Sequence, residues 1–509
     1  MCWIIACGTA AIVPLTLFAL SNNSNATRRR TRIVHCAAMK WRSSLQKGLQ
    51  ALSSTAKTTT SNTNRTTPDK GTIRRTDPKR EITWNEIKEH TAVEDDCWIA
   101  IHGKVYDITK FSKIHPGGGI ISTYAGRNAS DEFEAFHVSR VRRQLPAYCI
   151  GTLVDEPADL PSTRDYKQLR TKLWEDGWFE ADMSYYVWKD VLALSILMIG
   201  VFFMMMGGST WVRIGLGGLA VGLAIQQVAF VAHDAGHHGI LHPRPGGGIN
   251  WMGWFHGTAC FGVSIEMWVD EHSRHHAYTM RPREDPQFNY LPVFLVSMKE
   301  MENFDDLSKV EQILAKWLVP IQHLTLIPIS VLIGRFNLHI ISMSYALKEK
   351  KIHDVVGLVI YVAWFGSIVR ILPFHERLPF VLISYMTAGI LHIQLSISHL
   401  ATDAFTPEED EKLQFFAFQC KTTRNIDSSW WNNWFHGGLQ YQIEHHLFPQ
   451  LPRHHLAKVK SLVQDICMNH DIPYRSKSLF GAVRECLTDL HRMRHFIDDL
   501  AYPHEIMAE

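Results

Sequence analysis

Three short segments of this chain are built to gather imidazoles. They are His233-Asp234-Ala235-Gly236-His237, His272-Ser273-Arg274-His275-His276 and Gln442-Ile443-Glu444-His445-His446. On a helix, residues three and four apart share a face. An H-x-x-x-H segment therefore presents two ring nitrogens together. H-x-x-H-H presents at least two, with a third close by. Converging, the three segments supply about eight nitrogen ligands, enough for two metal ions with positions left open. Imidazole suits iron, zinc and copper alike, so the donor set alone does not name the metal. No H-E-x-x-H occurs, which disfavours zinc-protease chemistry.

A second pair of histidines lies near the N-terminus. His115-Pro116-Gly117-Gly118 is followed, 22 positions later, by His137 within Phe133-Glu134-Ala135-Phe136-His137. Two histidines on separate helix–loop corners can clamp a flat macrocycle from both faces. The glycines admit close backbone approach, and the phenylalanines can pack on the ring edge. A haem with two strong nitrogen ligands has no position open to oxygen, so it carries electrons. A haem donor is useful only beside a redox-active partner, which favours iron in the other three segments.

The elements that position these residues follow from hydropathy. Mean hydropathy is near zero, but that average hides a segregation. Residues 1–20 are apolar and 21–80 polar; 81–155 look soluble; 187–400 hold long apolar runs. Cys97–Ile101 and Lys104–Ile108 flank His102-Gly103 as strand, tight turn and strand. Four segments, 188–207, 211–231, 353–372 and 378–398, have the length of membrane spans and pair as two helical hairpins. Two further apolar stretches, 249–266 and 313–334, are expected in the interface or dipping partly into the membrane. Two spans between the second and third segments keep all the histidines on one membrane face; three would not. Arg274, Arg281, Arg283, Lys348, Lys350, Lys351 and the basic C-terminal region share that face, which the positive-inside rule makes cytoplasmic.

The expected fold is mainly α: a multi-span helical membrane domain, of about four transmembrane helices plus interfacial helices, with an N-terminal α+β domain. Residues 1–80 read as leader and flexible linker, 81–155 as the haem-binding domain, 156–480 as the membrane domain and 481–509 as a C-terminal tail. The leader has no Asp or Glu before Asp69 and abundant Ser, Thr and Arg, a composition that fits an organellar transit peptide; a signal anchor or a disordered extension are alternatives. The net charge of +2 marks no nucleic-acid binder, and the nine cysteines form no C-x-x-C pair, so reduced buried thiols are expected.

Outside the three segments, His399 ends the fourth span at the depth of His233 and His237 and is taken as a ligand. His392, deeper in that span, is read as structural. So are the isolated His256, His323, His339, His353 and His375. His238 and His436 are unassigned, and His454 and His455 are expected at the surface.

Taken in order, these features resemble the front-end fatty-acid desaturases with a fused cytochrome b5 domain, over roughly residues 81–480. The glutamine opening Gln442-Ile443-Glu444-His445-His446 is typical of that group. The resemblance implies haem b ligated by His115 and His137, and two non-haem irons held by His233, His237, His272, His275, His276, His445 and His446, with His399 added. Gln442 is either a weak ligand or a donor orienting a ligand or water. It implies insertion of a cis double bond between an existing double bond and the carboxyl end of a polyunsaturated acyl chain. The substrate is an acyl lipid or acyl-CoA, the oxidant is O2, and electrons come from an NAD(P)H-dependent cytochrome b5 reductase. An endoplasmic-reticulum membrane with a cytosolic active site is expected, with a plastid membrane as the alternative. Sphingolipid long-chain-base desaturation, lipid hydroxylation and a membrane-anchored haem carrier are the competing readings.

Overall fold

A computed structural model describes residues 80–501 apart from 94, 116–117, 138, 207 and 242–248. The leader and linker expectations for residues 1–79 lie outside the described residues.

The N-terminal domain is a small mixed sheet faced by short helices. Its strands are β1 (Glu81–Ile82), β2 (Thr91–Ala92), β3 (Asp96–Ile101), β4 (Lys104–Asp107) and β5 (Cys149–Leu153), in the order β1-β5-β4-β3-β2. β3 and β4 form the expected hairpin, pairing Ile101 with Lys104. Its two turn residues, His102 and Gly103, both have positive φ (50° and 68°), the twist that a two-residue hairpin demands. Helix α1 (Trp84–Glu89) starts on a Thr83 side chain that accepts from the Glu86 N–H, and helix α2 (Ser130–Phe136) ends at His137.

After α3 (Pro161–Glu175), five helices among the described residues are long and apolar enough to cross a membrane. Four match the expected spans: α4 (Met183–Met205), α5 (Val212–Gly236), α8 (Ile352–Val369) and α9 (Phe374–Ser396). α4 turns Val187, Leu194, Met198 and Phe202 outward, as a lipid-facing helix would. α5 is the buried centre. At Gly222 an added Cβ would stand 2.5 Å from the Ser384 carbonyl oxygen, so glycine is what lets α5 lie against α9. Deeper polar glue comes from Gln226, whose amide donates to Gln394 at 2.7 Å.

The fifth helix, α7 (Lys309–Lys348, 40 residues), contains the 313–334 stretch that the sequence reading kept out of the spans. Pro320 and Pro328 lie within it, and a wider-wound turn follows at Ile329–Ile333, the usual causes of helix bending. Lys351, just beyond its end, pairs with Glu266 at the start of the second histidine helix, α6 (Ile265–Ala277). α8 and α9 then form one hairpin that returns to the histidines.

α7 carries a fully buried cation, Arg335. Its guanidinium donates to the Phe261 carbonyl oxygen and lies 4.0 Å from the Phe261 ring centroid, near Tyr361 and Tyr385. The 249–266 stretch does not span. It is broken into a short turn, a wide turn at Trp254–Cys260 and the cap of α6. Helices α10 (Pro407–Thr422), α11 (Gln442–Leu447), α12 (Arg453–Asn469) and α13 (Leu479–Ala501) complete the described chain. α13 covers much of the expected tail and packs Ala482, Cys486 and Leu490 into the main core. The six described cysteines are free and mostly buried, as expected.

Candidate metal centre and haem site

The three histidine segments sit on the end of α5, on α6 and on α11, and they converge. His233, His237, His272 and His445 bring ligand atoms within 4.8 Å of one another; His275, His399 and His446 do the same in a second group. His276 lies between them, with ring centroids 4.7, 4.6, 4.6 and 4.1 Å from His237, His272, His445 and His446. His399, taken from its depth in the membrane, joins the second group. Gln442 is buried close to His399.

Local structure explains the convergence. Gly236 faces the Trp268 ring, where a Cβ would sit 2.2 Å from a ring carbon. Without one, the indole lies against His272 at 4.3 Å and beside His233 at 5.2 Å. α6 starts on a Ser264 side chain that accepts from the Met267 N–H, and Ser264 in turn donates to Asp354 of α8. At α11, Asn425 Oδ1 accepts from the Ile443 N–H, while Asn425 and Tyr474 both donate to Glu444. The sequence reading named none of these supports.

Five of the rings, those of His233, His272, His275, His399 and His446, have a partner at Nδ1. His275 Nδ1 donates to Asp285 at 2.9 Å, His446 Nδ1 to Gln419 Oε1 at 3.0 Å and His399 Nδ1 to the Thr422 carbonyl at 3.1 Å. The Gln287 amide stands 3.0 Å from His272 Nδ1. Asp234 contacts His233 Nδ1 at 3.5 Å and is itself held by the Tyr186 hydroxyl and Arg453. Such partners set the tautomer and aim the other nitrogen.

Those other nitrogens crowd together. The Nε2 atoms of His233 and His276 each lie 3.2 Å from that of His272. Nε2 of His237, His445 and His446 has no hydrogen-bond partner although buried. Burial holds the imidazoles of His237, His272, His276, His399, His445 and His446 well below their ordinary pKa. They are neutral at pH 7, and the Nε2 atoms of His237, His445 and His446 are left without a partner in the protein. Converging lone pairs of this kind suit metal cations, and two groups suit two.

The N-terminal pair also meets. His115 follows a short helical turn and His137 caps α2; their ring centroids are 5.9 Å apart. His137 Nδ1 donates to the Phe133 carbonyl at 3.1 Å, leaving Nε2 for coordination, and burial pushes its pKa down to about 4. Phe133 stacks on His137 and Phe111 meets His115 edge-on. Two metal–nitrogen bonds of about 2 Å each fit between rings so spaced, which is the arrangement of a bis-imidazole haem.

Comparison with known proteins gives a family for each part of the chain. Residues 209–478 match the model of the fatty acid desaturase family, and residues 83–154 that of the cytochrome b5-like heme/steroid binding domain. A Delta(8)-fatty-acid desaturase of Helianthus annuus is 33% identical over 84% of this chain and 94% of its own. The chain belongs to the fatty acid desaturase family. This desaturase is also 28% identical to an acyl-lipid (9-3)-desaturase of Borago officinalis, over 84% of this chain and 96% of that one. A Delta 8-(E)-sphingolipid desaturase of Komagataella phaffii is 30% identical over 73% of this chain and 68% of its own. The desaturase is thus an oxidoreductase of the membrane, with a b5 domain that implies haem and a family that implies a di-iron centre.

The remaining histidines divide. His256 contacts Asp190, His339 Nδ1 donates to the Gly262 carbonyl and His392 Nδ1 to that of Gly389, which are structural roles as read from sequence. His454 and His455 are not at the surface. They are half-buried against Tyr185 and Trp178, because α12 packs Arg453 and both rings under the start of α4.

Proposed function

We propose that this desaturase inserts a cis double bond on the carboxyl side of an existing double bond in a polyunsaturated acyl chain. The observation that carries the reading is the meeting of eight imidazoles in two buried groups, on a chain that also holds a paired-histidine b5 domain. His233, His237, His272 and His445 would hold one iron; His275, His399 and His446 the other, with His276 between. The iron pair, when bound, supplies the activation of dioxygen needed to remove hydrogen from unactivated methylenes. Asp285, Gln419, Gln287 and the Thr422 carbonyl hold the ring nitrogens in place. Gln442 orients His399. Trp268 and the packed helices α5 and α9 keep water from the site. His115 and His137 would hold haem b, fed by an NAD(P)H-dependent reductase. The basic residues beside the histidines support a cytosolic face for the site, in an endoplasmic-reticulum membrane or, as the alternative, a plastid membrane.

The plant relatives named for Delta(8) and (9-3) activities support a front-end acyl substrate. The Komagataella relative favours a second reading, a sphingoid long-chain base. Expression in a yeast host fed single polyunsaturated acids, with chromatography of fatty-acid esters and of long-chain bases, separates them. A new double bond carboxyl-side of an existing one is expected in the acyl pool. New unsaturation confined to long-chain bases establishes the second reading, and hydroxylated product without desaturation overturns both.

A further inference from the structure

In this structure the haem module and the metal centre share a packed interface. Tyr124 of the module stacks on Tyr278, just past the second histidine segment, at 5.9 Å. The two hydroxyls reach across: Tyr124 donates to the Ala277 carbonyl at 3.3 Å and Tyr278 to that of Ile120 at 3.2 Å. Ala277 and Tyr278 are buried in the module's own apolar core, among Ile99, Tyr106 and Phe133. From the third segment's side, the Gln450 amide donates to the Ala135 carbonyl at 3.2 Å. Arg170 of α3 pairs with Asp131 of α2, both buried. The interface thus seats one end of α2, the helix that ends on His137.

Half-buried beside that seat is Phe136. It is the residue before His137, and its ring meets His276 edge-on at 6.3 Å. His276 is the imidazole that lies between the two metal groups. One aromatic ring therefore fills the space between a haem-holding histidine and the metal-holding cluster. Electron tunnelling weakens steeply with distance and is favoured through packed, polarizable atoms over gaps or water.

We propose that the haem module works from this fixed seat, and that Phe136 positions the two centres for electron entry at His276. The proposal rests on the desaturase reading above. In each passage one electron leaves ferrous haem, which becomes ferric, and one ferric non-haem iron becomes ferrous. No bond forms and no proton need move, and an NAD(P)H-dependent flavin reductase restores the haem. Tethering alone would give a module free to leave; the shared core makes it a fixed part of the catalytic domain.

The test uses the full-length holoprotein in lipid nanodiscs. The haem is reduced anaerobically with NADH and a cytochrome b5 reductase, then mixed rapidly with oxygen and acyl substrate while its Soret band is followed. Phe136→Ala is expected to slow haem reoxidation by about tenfold or more, as misplacing reacting partners does. Haem content, haem reduction potential and non-haem iron content should stay at wild-type values, and Phe136→Trp should restore most of the rate. An alanine variant that reoxidises at the wild-type rate, with both metals loaded, overturns the role of Phe136. Amide exchange on the resting enzyme checks the seat: segments 132–137 and 277–280 should be protected, and rapid exchange in both overturns it. A wild-type protein lacking haem or non-haem iron would instead defeat the reading on which the proposal rests.

Discussion

The two histidine sites of this desaturase are built on opposite plans. The haem pair comes from one small domain, 22 positions apart, with both rings at the ends of short helical turns. The two rings meet within that domain, 5.9 Å apart and tilted by 58°. The metal cluster draws on α5, α6, α11 and the end of α9, elements spread from His233 to His446. Single helices bring two or three of these rings together, but the full cluster closes only where the helices pack. A local site tolerates loss of distant parts; a distributed site reports on the whole fold. Side-chain support differs in the same way. His137 leans on a carbonyl of its own helix, whereas His275 and His446 depend on Asp285 and Gln419, which other segments bring to them.

If the sites are separate in this sense, each can be broken alone. The largest effect is expected from His445→Ala with His446→Ala, which empties part of both groups. Desaturation measured by product chromatography should vanish, while the haem spectrum is unchanged. His115→Ala should do the converse: the haem absorbance is lost and reductase-driven turnover stops, with non-haem iron retained by metal analysis. Loss of both metals in either variant would show that the sites fold as one.

Smaller effects sharpen the contrast in support. Arg453→Met leaves Asp234 buried without its cation, and breaking a buried pair of this kind costs about 3–5 kcal/mol. Thermal unfolding should shift down, with His233 and His237 the first ligands released. Asp285→Ala removes the acceptor that orients His275, and iron affinity should fall by about 10–100-fold. Gln442→Ala should cost less, about tenfold at the low end of that range, because His399 keeps its bond to the Thr422 carbonyl. A loss for Gln442→Ala as large as for His399→Ala would make the glutamine a ligand.

Much of this was legible in the residues themselves. The length of the apolar runs marked four of the long apolar helices to within a few residues, and the histidines that the fold gathers were all named from the sequence, His399 from its depth. The supports were not legible. Asp285, Gln419 and Thr422 carry no local pattern, because their role depends on where chain segments far apart in sequence come to rest. The half-buried His454 and His455 were misplaced to the exterior for the same reason: a basic, histidine-rich run reads as solvated until α12 is seen packed beneath α4. The seat of the haem module was equally hidden, since Tyr124 and Tyr278 are unremarkable as sequence.

Arg335 has a consequence for how the protein is made. A central arginine costs a helix about 2.5–3.5 kcal/mol when the translocon offers it to lipid. Its guanidinium is accommodated by the Phe261 carbonyl and by Tyr361 of α8 and Tyr385 of α9, and the latter two helices are synthesised later. α7 is therefore a poor candidate for autonomous insertion. It should settle into the bilayer only once the hairpin behind it has emerged, so that biogenesis runs partly against the order of translation.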